Sequence, residues 1–166
     1  WGGLTMGDLA ALQESLRQHL EAGRAAWPGV EVPAEDFLQH LLARAGATAE
    51  QRLPALPSGD LYLACACARG DARALAAFEC AFLAHIDALV ARVDGSAAFV
   101  DEVRQRVRVR LLVATGSEPP KIAEYAGRGD LRSFVQTVAL RVALTLRKGG
   151  AREELQQQDE LAEQVL

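Results

Sequence analysis

Two glycines and two arginines stand together in Tyr125-Ala-Gly-Arg-Gly-Asp-Leu-Arg-Ser-Phe134, and the run continues as VQTVALRVALTLRK to Lys148. This is the pattern of a tight loop feeding a helix, because glycine lets the backbone turn where a side chain would clash. Arg128 and Arg132 project from the helix entrance, where peptide N–H groups already favour anions. Arg141, Arg147 and Lys148 keep the polar face of the helix basic, and Phe134 sits one turn in. Cations that hold phosphate beside a ring that stacks on a base define a surface for reading nucleic acid.

Signals for bond-making chemistry are missing by comparison. His19, His40 and His85 are scattered, each without a carboxylate at ligand spacing, and read as structural or surface residues. Cys65, Cys67 and Cys80 lack zinc-type spacing and fall in Ala-rich helical stretches, so they are expected to be buried, reduced thiols. There is no phosphate loop of the nucleotide-hydrolase type, no nucleophile elbow and no HExxH. Gly127-x-Gly129 is too short for a dinucleotide fingerprint and follows no strand. The carboxylates Glu153, Glu154, Asp159, Glu160 and Glu163 read as a solvated face. The expectation is a protein that is not an enzyme, with no metal and no cofactor.

Charge is unevenly placed. The 166 residues carry a net charge of −4. Between Arg104 and Arg152, however, eleven Lys/Arg face only Glu118, Glu124 and Asp130, a net of +8 that leaves −12 on the remainder. A basic region within an acidic chain is the footprint of a phosphate-binding face. The acidic tail from Glu153 and the acidic N-terminal helices are expected to shield that face. No leader and no run of eighteen apolar residues is visible, so no membrane span and a cytoplasmic location are expected.

The elements that must position the loop are helices. Ala and Leu dominate, apolar residues make up 50% of the chain, and aromatics only 5%. Residues 1–5 read as upstream of a natural start at Met6. Asp8 caps a helix carrying Leu9, Leu12, Leu16 and Leu20, which stops near Trp27-Pro28-Gly29. A second short helix follows Pro33 and ends at Gly46, so residues 6–46 form an N-terminal helical extension. Residues 47–58, with two prolines, read as a linker.

Residues 59–150 then form a compact bundle of about four helices, giving an all-α fold. Ser58 or Asp60 caps the first, LYLACACA. Asp71 caps the second, from Ala72 to about Val93. Ser96 caps the third, Ala97 to Ala114, in which the alternation RVRVRLLV also resembles a strand but sits inside a helical period. Lys121–Tyr125 adds one turn, and the fourth helix starts at Asp130 or Leu131 and stops at Gly149-Gly150. Residues 151–166 read as a polar helix or the start of a linker to a further domain.

The stretches DLYLACACARGDARALAAFECAFLAHI from Asp60, DEVRQRVRVRL from Asp101 and the whole of Tyr125–Lys148 together resemble the second conserved region of bacterial sigma factors. The likeness is to the small extracytoplasmic-function class of these promoter-specificity subunits, and it covers a little over half of the chain. Phe134 stands where the family usually has tryptophan, and Arg141 where it has asparagine. In the third helix Glu102, Arg104-Gln105 and Arg108 replace the usual leucines and Gln-Glu pair.

The resemblance implies that the chain recognises the minus-ten promoter element on the single-stranded non-template strand and helps to melt the duplex. Bases would be captured outside the stack by residues 125–133. Arg128, Arg132, Phe134, Arg141, Arg147 and Lys148 would contact DNA. Asp101, Glu102, Arg104, Gln105 and Arg108 would dock on the coiled coil of the largest subunit of core RNA polymerase. An anti-sigma factor is a further expected partner, and a helix-turn-helix domain would follow. Two rival expectations stand beside this: a sigma-like helical module that binds protein rather than DNA, and a regulator that works on duplex DNA.

Overall fold

A computed structural model describes residues 5–165. Trp1–Leu4, most of the segment expected to lie upstream of the fold, fall outside the described residues. Thr5 belongs to the fold. Its hydroxyl accepts the N–H of Asp8 at 3.1 Å, and the Asp8 carboxylate accepts the N–H of Thr5 at 2.9 Å. Thr5, not Asp8, is therefore the N-cap of α1 (Met6–Ala26), and the pair forms a reciprocal capping box.

Helix α2 (Ala34–Ala45) ends at Gly46 as expected. The segment expected to be a linker is folded. Gly46–Thr48 and Leu53–Ala55 are single 3₁₀ turns around the short α3 (Ala49–Arg52), and Leu53 and Leu56 are buried in the core. Proline limits the length of each piece, but the intervening leucines have apolar surface to bury.

Helix α4 (Ser58–Ala68) is the centre of the molecule. Leu61 to Cys67 are all buried, so the helix is covered on every side. Small residues in this run let neighbours come close, and α1 exploits that: a Cβ on Gly23 would lie 2.7 Å from that of Tyr62. Tyr62 in turn donates its hydroxyl to the Val30 carbonyl at 2.8 Å and accepts the Val32 N–H at 3.2 Å. His19 of α1 lies 2.6 Å from the Ser58 hydroxyl through Nδ1 and 2.5 Å from the Leu53 carbonyl through Nε2. The N-terminal helices thus share one core with the helices that follow.

The stretch from Ala72 to Val93 is not one helix. It divides into α5 (Ala72–Ala81), a 3₁₀ turn at Leu83–His85 and α6 (Asp87–Ala91). Ala74, Phe78, Phe82, Ile86 and Val90 recur every four residues and are all buried. In a straight helix such a row drifts about 40° per step, and the break returns it to the core. The most apolar eighteen-residue window within residues 72–91 has a mean hydropathy of 1.7, enough for a membrane span by composition, yet here the stretch supplies core side chains.

Asp71 caps α5 through the Ala74 N–H, and Ser96 caps α7 (Ala97–Leu112) through that of Phe99. Val103, Val107 and Leu111 face the core, so RVRVRLLV is helical to Leu112. Among the described residues there is no strand, only an isolated bridge between Thr115 and Glu118. The fold is all-α.

Helix α8 runs from Leu131 to Val165 without stopping at Gly149-Gly150. Each interior glycine costs about 1 kcal/mol relative to alanine, and the flanking Leu, Arg, Glu and Gln residues are good enough helix formers to carry it. Val135, Val138, Ala139, Val142 and Ala143 pack inward, while residues 151–164 are all exposed.

Candidate nucleic-acid interface

The loop before α8 is held from below by three elements. Tyr125 is buried and donates its hydroxyl to the Gly129 carbonyl at 2.7 Å, closing the loop on itself. Burial foremost, then the nearby carboxylates of Asp60 and Asp130, raise the Tyr125 pKa far above its usual range, so the phenol remains a donor. Gly127 (φ 78°) lies over Leu56, Pro57 and Leu61, where an added Cβ would sit 3.2 Å from each. Arg44 of α2 donates to the carbonyls of Ala123 and Tyr125. Arg44 and Leu56 come from segments far away in sequence, and no local pattern announces them.

Helix α8 is capped from two directions. The Asp130 carboxylate accepts the Ser133 N–H at 2.7 Å, and the Ser133 side chain first, then this N–H, holds its pKa below the usual carboxylate value. Asp60, expected to cap α4, instead accepts the N–H of Leu131 at 2.9 Å. Helix α4 has no side-chain cap of its own. These carboxylates satisfy the Leu131 and Ser133 N–H donors, which the sequence suggested were available to an anion.

Arg128 and Arg132 are exposed at the loop and the first turn, and the Arg132 guanidinium lies 5.8 Å from the ring centroid of Phe82. Phe134 is half-buried, its ring 5.4 Å from that of Tyr125 and tilted by 58°, so it props the loop from inside. Further along α8 the cations separate. At about 100° per residue, Arg132 and Arg147 fall on one edge of the exposed face, and Arg141 and Lys148 on the other with Phe134. Arg147 reaches Asp94 at 3.8 Å. Among the described residues Arg128, Arg132, Arg141 and Lys148 form no ion pair.

The cations of α7 are differently placed. Arg104 forks onto Asp87 of α6 (3.1 and 2.5 Å) and meets Asp101 at 3.0 Å. Arg108 binds Glu79 of α5 and Gln105, and Arg106 pairs with Glu102 at 2.7 Å. Asp101, Glu102 and Gln105 are exposed, whereas Arg104 and Arg108 are partly covered. Acids from outside the basic segment therefore neutralise part of it. The exposed cationic surface is smaller than the residue count suggests, with Arg128 and Arg132 at the loop and Arg141 and Lys148 further along α8.

The continuous α8 carries its acidic end away from the loop, so among the described residues no part of the tail lies over Arg128 and Arg132. Burial pushes the Cys65 thiol up to about 11 and that of Cys67 to about 12, which suits inert core thiols; Cys80, expected to be buried, is exposed on α5. Among the described residues no three His, Cys, Asp or Glu side chains gather as a metal-binding group. No known protein family, curated protein or solved structure matches the chain.

Proposed function

We propose that this chain is a sigma-factor-like promoter-recognition module: it binds the single-stranded minus-ten element, helps to open the duplex, and engages core RNA polymerase. One observation carries the reading. The Tyr125–Asp130 loop is fixed by a tyrosine lock, a distant aspartate cap and an arginine clasp, and it presents Arg128 and Arg132 unpaired at the surface. A rigid loop with free guanidinium groups loses little entropy on binding and can hold phosphates beside an extruded base. Helix α7, with Asp101, Glu102 and Gln105 outward, would take the polymerase coiled coil, and Arg104 and Arg108 would shape that surface from their ion pairs.

The rival reading, a protein-binding module without DNA recognition, is favoured by the neutralisation of the α7 arginines. Two measurements separate them. Fluorescence anisotropy with a labelled minus-ten single strand and a scrambled strand should show sequence-selective, salt-sensitive binding. Pull-down of purified core polymerase should succeed. Polymerase capture without any single-strand binding would favour the rival, and failure of both would end the sigma reading.

A further inference from the structure

We propose that the exposed seam of α8 is a self-association surface, covered by α8 of a second copy of this chain running antiparallel. The inference does not rest on the nucleic-acid reading, but the surface includes Arg141 and Lys148, so self-association and DNA would compete for those two residues.

The first reason is the helix itself. Residues 151–164 are all exposed, and the segment is entered through Gly149 and Gly150, with nothing within 4 Å of either ideal Cβ. A polar helical stretch of this length is marginal in water on its own, because helices in proteins draw most of their stability from a packed face. Among the described residues nothing packs against this stretch.

The second reason is what lies on its surface. Leu140, Leu144, Ala151, Leu155 and Ala162 follow at steps of four, seven, four and seven residues, and all are exposed, with Leu144 at 46% and Leu155 at 62%. That spacing repeats every eleven residues and places them within an arc of about 60°, the period of a right-handed coiled-coil seam. Lys148 and Gln158 interrupt the line, as polar residues do where they specify register.

Charge selects the occupant. Along one edge of the seam Arg141, Lys148 and Arg152 precede Asp159 and Glu163. That edge runs from basic near the body to acidic beyond it. In an antiparallel pair each basic half meets the acidic half of the other copy, whereas a parallel pair sets like against like. A two-fold axis near the middle of the exposed helix brings the two halves together in both copies, as an isologous dimer requires.

Sedimentation equilibrium of the full chain over a wide micromolar range tests this. A monomer–dimer equilibrium that weakens with salt is expected, with a thermal midpoint that rises with protein concentration. The variant Leu144→Asp/Leu155→Asp should dissociate on the order of tenfold or more readily, with the circular dichroism of the core helices retained. Reversing the acidic half (Asp159→Lys, Glu163→Lys) should also weaken the dimer, and mixing that variant with one reversed in the basic half (Arg141→Glu, Lys148→Glu, Arg152→Glu) should restore heterodimers. A wild-type chain that stays monomeric throughout overturns the proposal. So does a dimer indifferent to the leucine substitutions, or one that survives both charge reversals.

Discussion

The carboxylate of Asp60, in the first turn of α4, accepts the N–H of Leu131 at the first turn of α8 across 71 residues of chain. One side chain thereby joins the central helix to the entrance of the candidate binding helix. Asp60→Ala leaves that partly buried donor unsatisfied and should cost about 1–2 kcal/mol. Asp60→Asn keeps an acceptor and should cost less. Urea titrations at unchanged slope would show the order, and equal midpoints for wild type and Asp60→Ala would remove the cap from the account.

Free cations should dominate any interaction with single-stranded DNA. Arg128→Ala, Arg132→Ala and Arg141→Ala are each expected to weaken binding while helicity is retained. The slope of log affinity against log salt should fall by about 0.7 for each phosphate that is no longer neutralised. Arg106→Ala, which removes a cation already paired with Glu102, serves as the control and should change little. Equal effects from Arg106 and Arg132 would point to general electrostatics instead of a site.

The two loop glycines should differ. Gly127 and Gly129 both have positive φ, 78° and 72°, but only Gly127 has Leu56, Pro57 and Leu61 3.2 Å from an added Cβ. Gly129→Ala should cost the left-handed strain alone, about 1–2 kcal/mol. Gly127→Ala adds overpacking of roughly 1–3 kcal/mol. Thermal unfolding of the two variants gives the comparison, and a Gly129 variant at least as destabilised as Gly127 would contradict the packing described.

His40 provides a pH dependence. Among the described residues its buried Nε2 has no hydrogen-bond partner, and burial first, then the Arg44 charge, bring its pKa from 6.5 down to about 4. The native state therefore resists a proton that the unfolded chain accepts. The sign follows: the stabilising difference is complete above the unfolded value and is lost as pH falls through 6.5 toward about 4. Given partial solvent access, the loss attributable to His40 is no more than about 2 kcal/mol. Denaturation at neutral pH and near pH 4 should show a smaller acid-side loss for His40→Leu, and identical losses would exclude His40 as the origin.

The comparison with the sequence turns on range. Caps at Asp71 and Ser96, the stop at Gly46 and the helical reading of RVRVRLLV depend on neighbours within a few residues, and they stand. Gly149-Gly150 fails as a stop because a modest local penalty is outweighed by the helix formers around it. The break at Phe82 escapes local reading because it answers to where the core lies. The loop was legible as Gly-Arg-Gly-Asp. Its supports were not, since Asp60, Arg44 and Leu56 reach it from elsewhere in the chain.

By itself, then, the sequence determined the helical class of the molecule, the caps at Asp71 and Ser96 and the concentration of basic residues around one glycine loop. Those features follow from composition, periodicity and short-range hydrogen bonding. Only the tertiary structure decided which of those charges remain free. Asp87, Glu79 and Asp94 fold back onto Arg104, Arg108 and Arg147. Electrostatic interaction depends on distance in space, so a charge count along the chain says where cations are concentrated but not which are already satisfied.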